Sequence, residues 1–394
     1  MKVLFLTREY PPYSVGGIAK HIFWLSRSLA KLGVKCKVLS FGDPAYSNSD
    51  VLFISPESSL SADKVGVKDN LRILQDIGRI DKIALDLFSR GKFDVLHVED
   101  PYLGPFISSC NHVTTVHDTS VGELRFMAKN LRTVLDMKYS VFFATLGPIL
   151  EQLTIRKSGA IIAVNDHIKD ELRRSYGTPR RKIKVIVNGV QLPSSVSKDS
   201  AKKELGLSTS ELLVFSASRL IPRKRIDLLV EAVKMISESG SGKFCVAICG
   251  EGPQKQFLLN LVTEKGLRDK IRILGWVPEE KLHLYYEAAD IFVLSSEYEG
   301  FPISLLEALA FGAACVSSDI SPMILSDGLN GLIFQRGNVA HLVNKLKMLM
   351  DDQELRISVS KAGRELAEQY DWDKVAAETK TVYEALLSSS PVDF

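Results

Sequence analysis

Two glutamates eight positions apart, Glu299 and Glu307, stand in the segment Ser295 to Gly312, SSEYEGFPISLLEALAFG. The apolar run Ile291 to Ser295 reads as a buried strand, Glu299 and Gly300 occupy the turn after it, and Glu307 falls at least one turn inside a following helix. Pro302 stands where that helix can begin, since the missing N–H of a proline would be unpaired at a first helical position anyway. The free amides of Ile303, Ser304 and Leu305 are then expected to form an anion site. Both carboxylates can reach one ligand whose phosphates lie over the helix start. One would accept hydrogen bonds from sugar hydroxyls and the other from a ribose diol.

Such a site needs elements that hold it. Residues 2–7 (KVLFLT) read as a strand, Tyr10 to Gly17 as a Pro/Gly loop, Ala19 to Leu32 as an amphipathic helix and Lys35 to Phe41 as a second strand, a βαβ unit that implies parallel pairing. Further strands are expected at Val95–Val98, Val113–Val116, Ala160–Val164 and Lys184–Val187. The polar segment Gln191 to Ser200 has linker composition. After it, strands are expected at Leu212–Ser216, Phe244–Cys249, Ile271–Leu274, Ile291–Ser295 and Ala314–Ser317, and helices over 226–238, 254–265, 279–288, 303–311 and 339–352. The fold class is thus α/β, with two doubly wound parallel-sheet domains over 1–190 and 191–372. Ligands of such sheets bind at the carboxyl ends of the strands, which points to an interdomain cleft. A helix within 373–394 is expected to cross back to the first domain.

With those residues in view, Glu299 to Glu307 resembles the Glu-x7-Glu signature of retaining glycosyltransferases of the GT-B fold, in particular the large family 4. Phe215 to Lys224 (FSASRLIPRK) resembles that family's strand and loop ending in an Arg and a Lys that grip the nucleotide diphosphate. A diphosphate leaving group gains charge as the glycosidic bond breaks, and Arg219 and Lys224 would stabilise it. Tyr10 to Ile18 resembles the first-strand loop, where Gly16 and Gly17 let backbone amides approach a phosphate. Val116-His117-Asp118 resembles the family's histidine beside the donor sugar. Gly275-Trp276-Val277-Pro278 resembles the loop flanking the nucleobase, and Gly250-Glu251-Gly252-Pro253 and Asn188-Gly189-Val190 match further phrases. The donor-binding set is therefore expected to be Gly16, Gly17, Arg219, Lys224, Trp276, Val277, Glu299, Gly300, Phe301, Pro302, Ile303, Ser304 and Glu307, with Glu299, His117, Arg219 and Lys224 catalytic.

Two departures stand out. Arg225 occupies the place where the family often has Gly, and Ser318 to Ile324 (SDISPMI) replaces a strand and Gly-Gly-x-Pro-Glu loop. No clusters with metal-ligand spacing are found in the sequence, and the resemblance implies no required metal or cofactor. His21, His97, His112, His167, His283 and His341 receive no role.

Composition fits this reading. The 394 residues carry a formal net charge of +3, but residues 1–190 hold 27 Lys and Arg against 19 Asp and Glu while the remainder hold 23 against 28. Most of the positive excess lies in 121–190, which fits an anionic acceptor or lipid headgroups. No run reaches the roughly 18 apolar residues of a membrane span; Tyr139 to Leu150 reads as a core helix. Cys36, Cys110, Cys245, Cys249 and Cys315 form no CxxC pair, and all but Cys110 lie in apolar runs, which suits the cytosol, at most peripheral at the membrane.

The resemblance implies transfer of a hexose from a UDP-, GDP- or ADP-sugar to a glycan or lipid-linked acceptor hydroxyl with retention, by a front-face mechanism needing no protein nucleophile. LTREYPP followed by GG also resembles short prokaryotic glycogen synthases, although Ser14 and Val15 stand where many of those have a Lys. A nucleotide-sugar epimerase would share the architecture but lacks need of the full Arg/Lys and Glu-x7-Glu set. A dehydrogenase would want G-x-G-x-x-G in the first loop, and no nucleic-acid partner is expected. A noncatalytic sugar-binding homologue is the reading favoured by the altered 318–324 loop.

Overall fold

The computed structural model describes residues 1–12, 16–56, 67–107, 112–130, 145–240, 243–320, 324–388 and 394, without the side chains of 67–70 and 127–130. The chain divides into two compact units. Unit 1 comprises Met1–Gly189 and Trp372–Phe394, and unit 2 comprises Val190–Asp371.

Among the described residues, unit 1 holds seven strands: β1 (Lys2–Thr7), β2 (Lys35–Phe41), β3 (Val51–Ile54), β4 (Val95–Val98), β5 (His112–Val116), β6 (Ala160–Ala163) and β7 (Ile183–Val185). They lie in the order β3-β2-β1-β4-β5-β6-β7, all parallel. A parallel sheet must be covered on both faces, so its strands are apolar throughout rather than alternating. Val3 and Phe5 pack beneath Ile22, Leu25 and Leu29 of α1 (Gly17–Lys31). Leu4 and Leu6 face Ile73, Ile77 and Ile80 of α2 (Val67–Ser89).

Three more helices, α3 (Ser120–Asn130), α4 (Leu146–Lys157) and α5 (Asp166–Tyr176), fill the second half of unit 1. Buried Glu151 of α4 ties them. Its Oε2 accepts from the Ser120 backbone N–H at 2.9 Å and from the Tyr176 hydroxyl.

Unit 2 holds β8 (Leu212–Ala217), β9 (Phe244–Cys249), β10 (Ile271–Gly275), β11 (Ile291–Leu294), β12 (Ala314–Ser318) and β13 (Leu332–Phe334) in the parallel order β10-β9-β8-β11-β12-β13. Its helices are α6 (Lys198–Glu204), α7 (Ile226–Glu238), α8 (Lys255–Glu264), α9 (Glu279–Ala288), α10 (Ile303–Ala310), α11 (Val339–Asp351) and α12 (Gln353–Ala367). The final helix, α13 (Trp372–Leu387), belongs to unit 1. It buries Trp372, Val375, Ala376, Val382 and Tyr383 in the same core as α1, and Lys31 Nζ meets Asp373 at 2.8 Å.

Several sequence readings are corrected. The segment 191–200 is not linker throughout, because Lys198–Glu204 is helical, with buried Lys202 bonding Asp290 at 2.7 Å. Strand β7 stops at Val185, short of Val187. Strands β3 and β13 and helix α12 are additional. Much of Tyr139 to Leu150 lies outside the described residues, and the described helix there runs from Leu146. Cys249 and Cys315 are buried, Cys36 and Cys245 are partly exposed, and Cys110 lies outside the described residues.

Two expectations follow. Burial pushes the Glu151 carboxyl up to about 8. Because the folded value is raised, the stability tied to Glu151 is complete below its unfolded value and is lost as pH rises through about 8. Between pH 6 and 9, Glu151→Gln should therefore lose less melting temperature than the parent, by roughly 2–4 °C, in paired thermal scans; parallel curves would contradict this. Gly250 has φ 140°, and a Cβ there would lie 1.8 Å from the Ser218 carbonyl oxygen. Backbone cannot yield as a side-chain tip can, so Gly250→Ala should lower the melting temperature on the order of 5 °C.

Candidate functional site

Both sheets reverse their strand order once, between β1 and β4 in unit 1 and between β8 and β11 in unit 2. The loops leaving the carboxyl ends of strands at such a point are where open α/β sheets bind ligands. Gly16, Arg219, Lys224 and Glu299 to Pro302 fall on those loops, whereas His117 follows β5, Trp276 and Val277 follow β10, and Glu307 lies within α10.

In unit 2 the loop after β8 runs from Ser218 to Arg225, and that after β11 from Ser295 to Pro302. The fold joins them. Lys224 Nζ donates to Glu299 Oε1, Ser296 Oγ donates to the same oxygen at 2.6 Å, and Arg223 Nη1 lies 3.8 Å from Glu299 Oε2. The backbone is stitched as well, with Glu297 N donating to the Arg223 carbonyl at 2.8 Å and Ser295 Oγ to that of Lys224 at 2.8 Å. The Glu299 side chain is only 7% exposed. Burial would raise its pKa, but Lys224 and Arg223 pull it below the usual carboxylate range. Burial in turn lowers Lys224. The outcome is a buried carboxylate with two cations on it.

Arg219 is exposed on the β8 loop and near enough to Lys224 to depress it. The loop's course is fixed from below by Gly250 and Gly252, whose hydrogens alone allow the Ser218 and Leu220 carbonyls to sit where they do. Arg225 adopts the left-handed conformation, φ 49° and ψ 43°, which explains a glycine in related loops. Here the arginine is retained by side-chain bonds, Nε to Asp227 Oδ1 at 3.0 Å and Nη1 to Glu297.

Helix α10 carries Glu307 at its fifth position, buried to 9%. The Tyr286 hydroxyl hydrogen-bonds it, and Glu307 together with burial drives Tyr286 well above its ordinary value. Tyr286 is itself stacked on Phe311 with centroids 5.9 Å apart. Sequence reading did not find Tyr286, since an aromatic on a helix has no signature beyond core packing. Pro302 is the residue before the helix rather than its first, with φ −79° and ψ 90°. The Leu305 amide is also not free, because it donates to the Pro302 carbonyl at 3.1 Å. Ile303 and Ser304 remain at the helix start. Gly300 and Phe301 are buried, the latter 5.9 Å from the Tyr370 ring.

Trp276 follows β10 and is 59% exposed, with half-buried Val277 beside it. Its backbone N–H donates to Glu251 Oε1 at 3.1 Å. Of the altered 318–324 loop, 321–323 lie outside the described residues; Asp319 pairs with Arg336 Nε at 2.8 Å.

In unit 1, Gly16 precedes and Gly17 begins α1, with the Glu9 side chain against the Gly16 Cα; Tyr13 to Val15 lie outside the described residues. His117 follows β5. Its Nε2 lies 3.2 Å from Glu99 Oε2, and the same oxygen lies 3.5 Å from His21 Nε2. Glu99 Oε1 lies 3.3 Å from His97 Nε2. Metal-ligand spacing is missing along the chain but a cluster forms in space, where His21, Glu99 and His117 bring their ligand atoms within 4.8 Å of one another. These residues are up to 96 positions apart, so spacing could not reveal them. Arg8 and Asp100, paired after β1 and β4, were likewise missed.

Residues 15–192 match the family described as Glycosyltransferase Family 4, and residues 197–366 match Glycosyl transferases group 1. The chain is 27% identical over 402 residues to an uncharacterized glycosyltransferase of Methanocaldococcus jannaschii, covering 97% of this chain and 98% of that one. It is 26% identical to a glycogen synthase of Mycobacterium tuberculosis, over 97% and 94% of the two chains. Sucrose-phosphate synthase from Thermosynechococcus elongatus superposes with a TM-score of 0.82 at 18% identity, over 99% of this chain and 100% of that one. The two matched families together span nearly the whole sequence, and the chain belongs to the family 4, group 1 glycosyltransferases of the GT-B fold.

Proposed function

We propose that this glycosyltransferase moves a hexose from a UDP-, GDP- or ADP-sugar to a hydroxyl of a glycan or lipid-linked acceptor, retaining the anomeric configuration. The observation that carries the reading is the ion cluster Arg223, Lys224 and Glu299 at the strand-order reversal of unit 2. Glu299 accepts hydrogen bonds from the sugar, Glu307 from the ribose diol, and Arg219 and Lys224 hold the diphosphate. The N–H groups at the start of α10 and the backbone at Gly16 and Gly17 face phosphate charge, and Trp276 with Val277 flanks the base. As the glycosidic bond breaks, negative charge accumulates on the diphosphate. Fixed cations are worth most there, because they need no reorganisation at the moment of reaction. The departing phosphate oxygen takes the acceptor proton, so no protein nucleophile or metal is required.

The acceptor is read from unit 1. Helix α4 exposes Ile149 and Leu153, 59% and 38% accessible, on the side that also carries exposed Arg156 and Lys157. Apolar residues flanked by cations suit an anionic lipid surface and support a reading of peripheral contact with the cytoplasmic face of a membrane. The full-length likeness to a glycogen synthase favours a second reading, elongation of a soluble glucan. Co-sedimentation with anionic vesicles at low and high salt separates the two, since only the lipid-surface enzyme pellets in a salt-sensitive way.

Incubation with a panel of nucleotide sugars, followed by assay of released nucleotide and of product configuration, tests the central reading. Turnover with none, or an inverted product, would sink it. Glu299→Ala should abolish transfer while Glu299→Gln spares some, and undiminished rates in both would remove the sugar role. Because Glu299→Ala leaves buried Lys224 and Arg223 without their counter-ion, it should also cost about 3–5 kcal/mol of stability, so rates are compared below the variant's melting temperature. Tyr286→Phe removes the hydroxyl that fixes Glu307 and should weaken nucleotide binding about fivefold by calorimetry, corresponding to roughly 1 kcal/mol.

A further inference from the structure

Four side chains at the β1/β4/β5 edge of unit 1 form one buried assembly: His21, His97, Glu99 and His117. We propose that Glu99 is a positioning residue, which fixes His117 with its proton on Nε2 and so leaves Nδ1 to accept a hydrogen bond from a donor-sugar hydroxyl. The inference rests on the transferase reading for its ligand, but not for the state of the ring.

Glu99 is fully buried directly after β4, its backbone N–H donating to the Leu6 carbonyl at 2.9 Å. Among the described residues its oxygens lie against imidazole nitrogens: Oε2 at 3.2 Å from His117 Nε2 and 3.5 Å from His21 Nε2, and Oε1 at 3.3 Å from His97 Nε2. The imidazoles hold Glu99 well below the usual carboxylate range against the opposing effect of burial. An ionised carboxylate is acceptor only, so the His117 nitrogen at hydrogen-bond distance carries the proton. In a neutral ring the other nitrogen, Nδ1, is then an acceptor. It makes no hydrogen bond among the described residues.

The assembly also fixes the ring's plane. His21 stands edge-on to His117, with centroids 4.7 Å apart at 79°, and is itself held between the Asn188 side chain, 2.9 Å from its Nδ1, and the Trp372 ring, 5.3 Å away at 74°. His97 is anchored to the Tyr383 hydroxyl at 2.6 Å and to Thr115 Oγ1 at 2.7 Å. Burial pushes His97 down to about 4, so it stays neutral and adds no positive charge. The side chains of His21, His97 and Glu99 are 4%, 0% and 0% exposed, whereas His117 is 12% exposed. A ligand therefore meets this assembly through His117. The same three groups, His21, Glu99 and His117, could alternatively ligate a divalent cation, but that requires bare Nε2 atoms, the opposite proton arrangement.

The test begins with the wild-type protein labelled with 15N in histidine. Long-range proton–nitrogen spectra at neutral pH should show His117 as a slowly exchanging Nε2–H with bare Nδ1. The opposite tautomer, or a Co2+ titration that gives a tetrahedral cobalt absorption lost in His117→Ala, overturns the proposal. This arm decides even if no variant folds. Glu99→Gln should then lower kcat on the order of tenfold with donor KM little changed, and should cost nothing further in a His117→Ala background. An equal loss in both backgrounds would mean that Glu99 serves only the fold. If no nucleotide sugar is turned over while the Nε2–H signal is present, the transferase reading fails and the ring assignment stands.

Discussion

A carboxylate removed from water must keep hydrogen donors or cations in contact, or take up a proton. Each unit of this glycosyltransferase places one such group directly after the first strand beyond its order reversal or in the loop that follows, Glu99 after β4 and Glu299 after β11. The partners differ. Glu99 is surrounded by imidazoles, whereas Glu299 sits on a lysine and an arginine. The first environment orients imidazole rings, and the second pairs a buried carboxylate with two cations.

Much of the surrounding structure serves these contacts. Gly250 and Gly252 allow close backbone approach beneath the β8 loop, which determines where Arg219 and Lys224 leave the chain. The left-handed Arg225 then turns the backbone into α7, held by Asp227 and Glu297. In unit 1, α13 supplies Trp372 against His21 and Tyr383 against His97. Helix α13 thus both covers the sheet and holds the histidine side chains beside Glu99.

The long apolar strands were legible in the sequence because a doubly covered parallel sheet leaves a continuous β-branched and aromatic signal, as in Lys35–Phe41 and Phe244–Cys249. The four-residue β3 and three-residue β13 were not, although they are as apolar as the comparably short β4 and β11, which were. Helix α6 was hidden by its polar residues, which read as linker; its one buried charge, Lys202, is satisfied by Asp290, 88 positions later. The Arg219, Lys224, Glu299 and Glu307 segments were legible as local phrases. The pairing of Lys224 with Glu299, the Tyr286 contact to Glu307 and the gathering of His21 and His97 about Glu99 are long-range consequences of topology, which residue spacing does not encode.

Unit 2 is an insertion within unit 1: the chain leaves after Gly189 and returns at Trp372. During synthesis the seven-stranded sheet emerges complete in its strands but lacks α13, so the face that will receive Trp372, Val375 and Tyr383 stays open until 182 further residues have been made. Unit 2, contiguous in sequence, has all its parts first. The N-terminal half of the protein is therefore made first and finished last, and its histidine assembly cannot close before unit 2 has been translated.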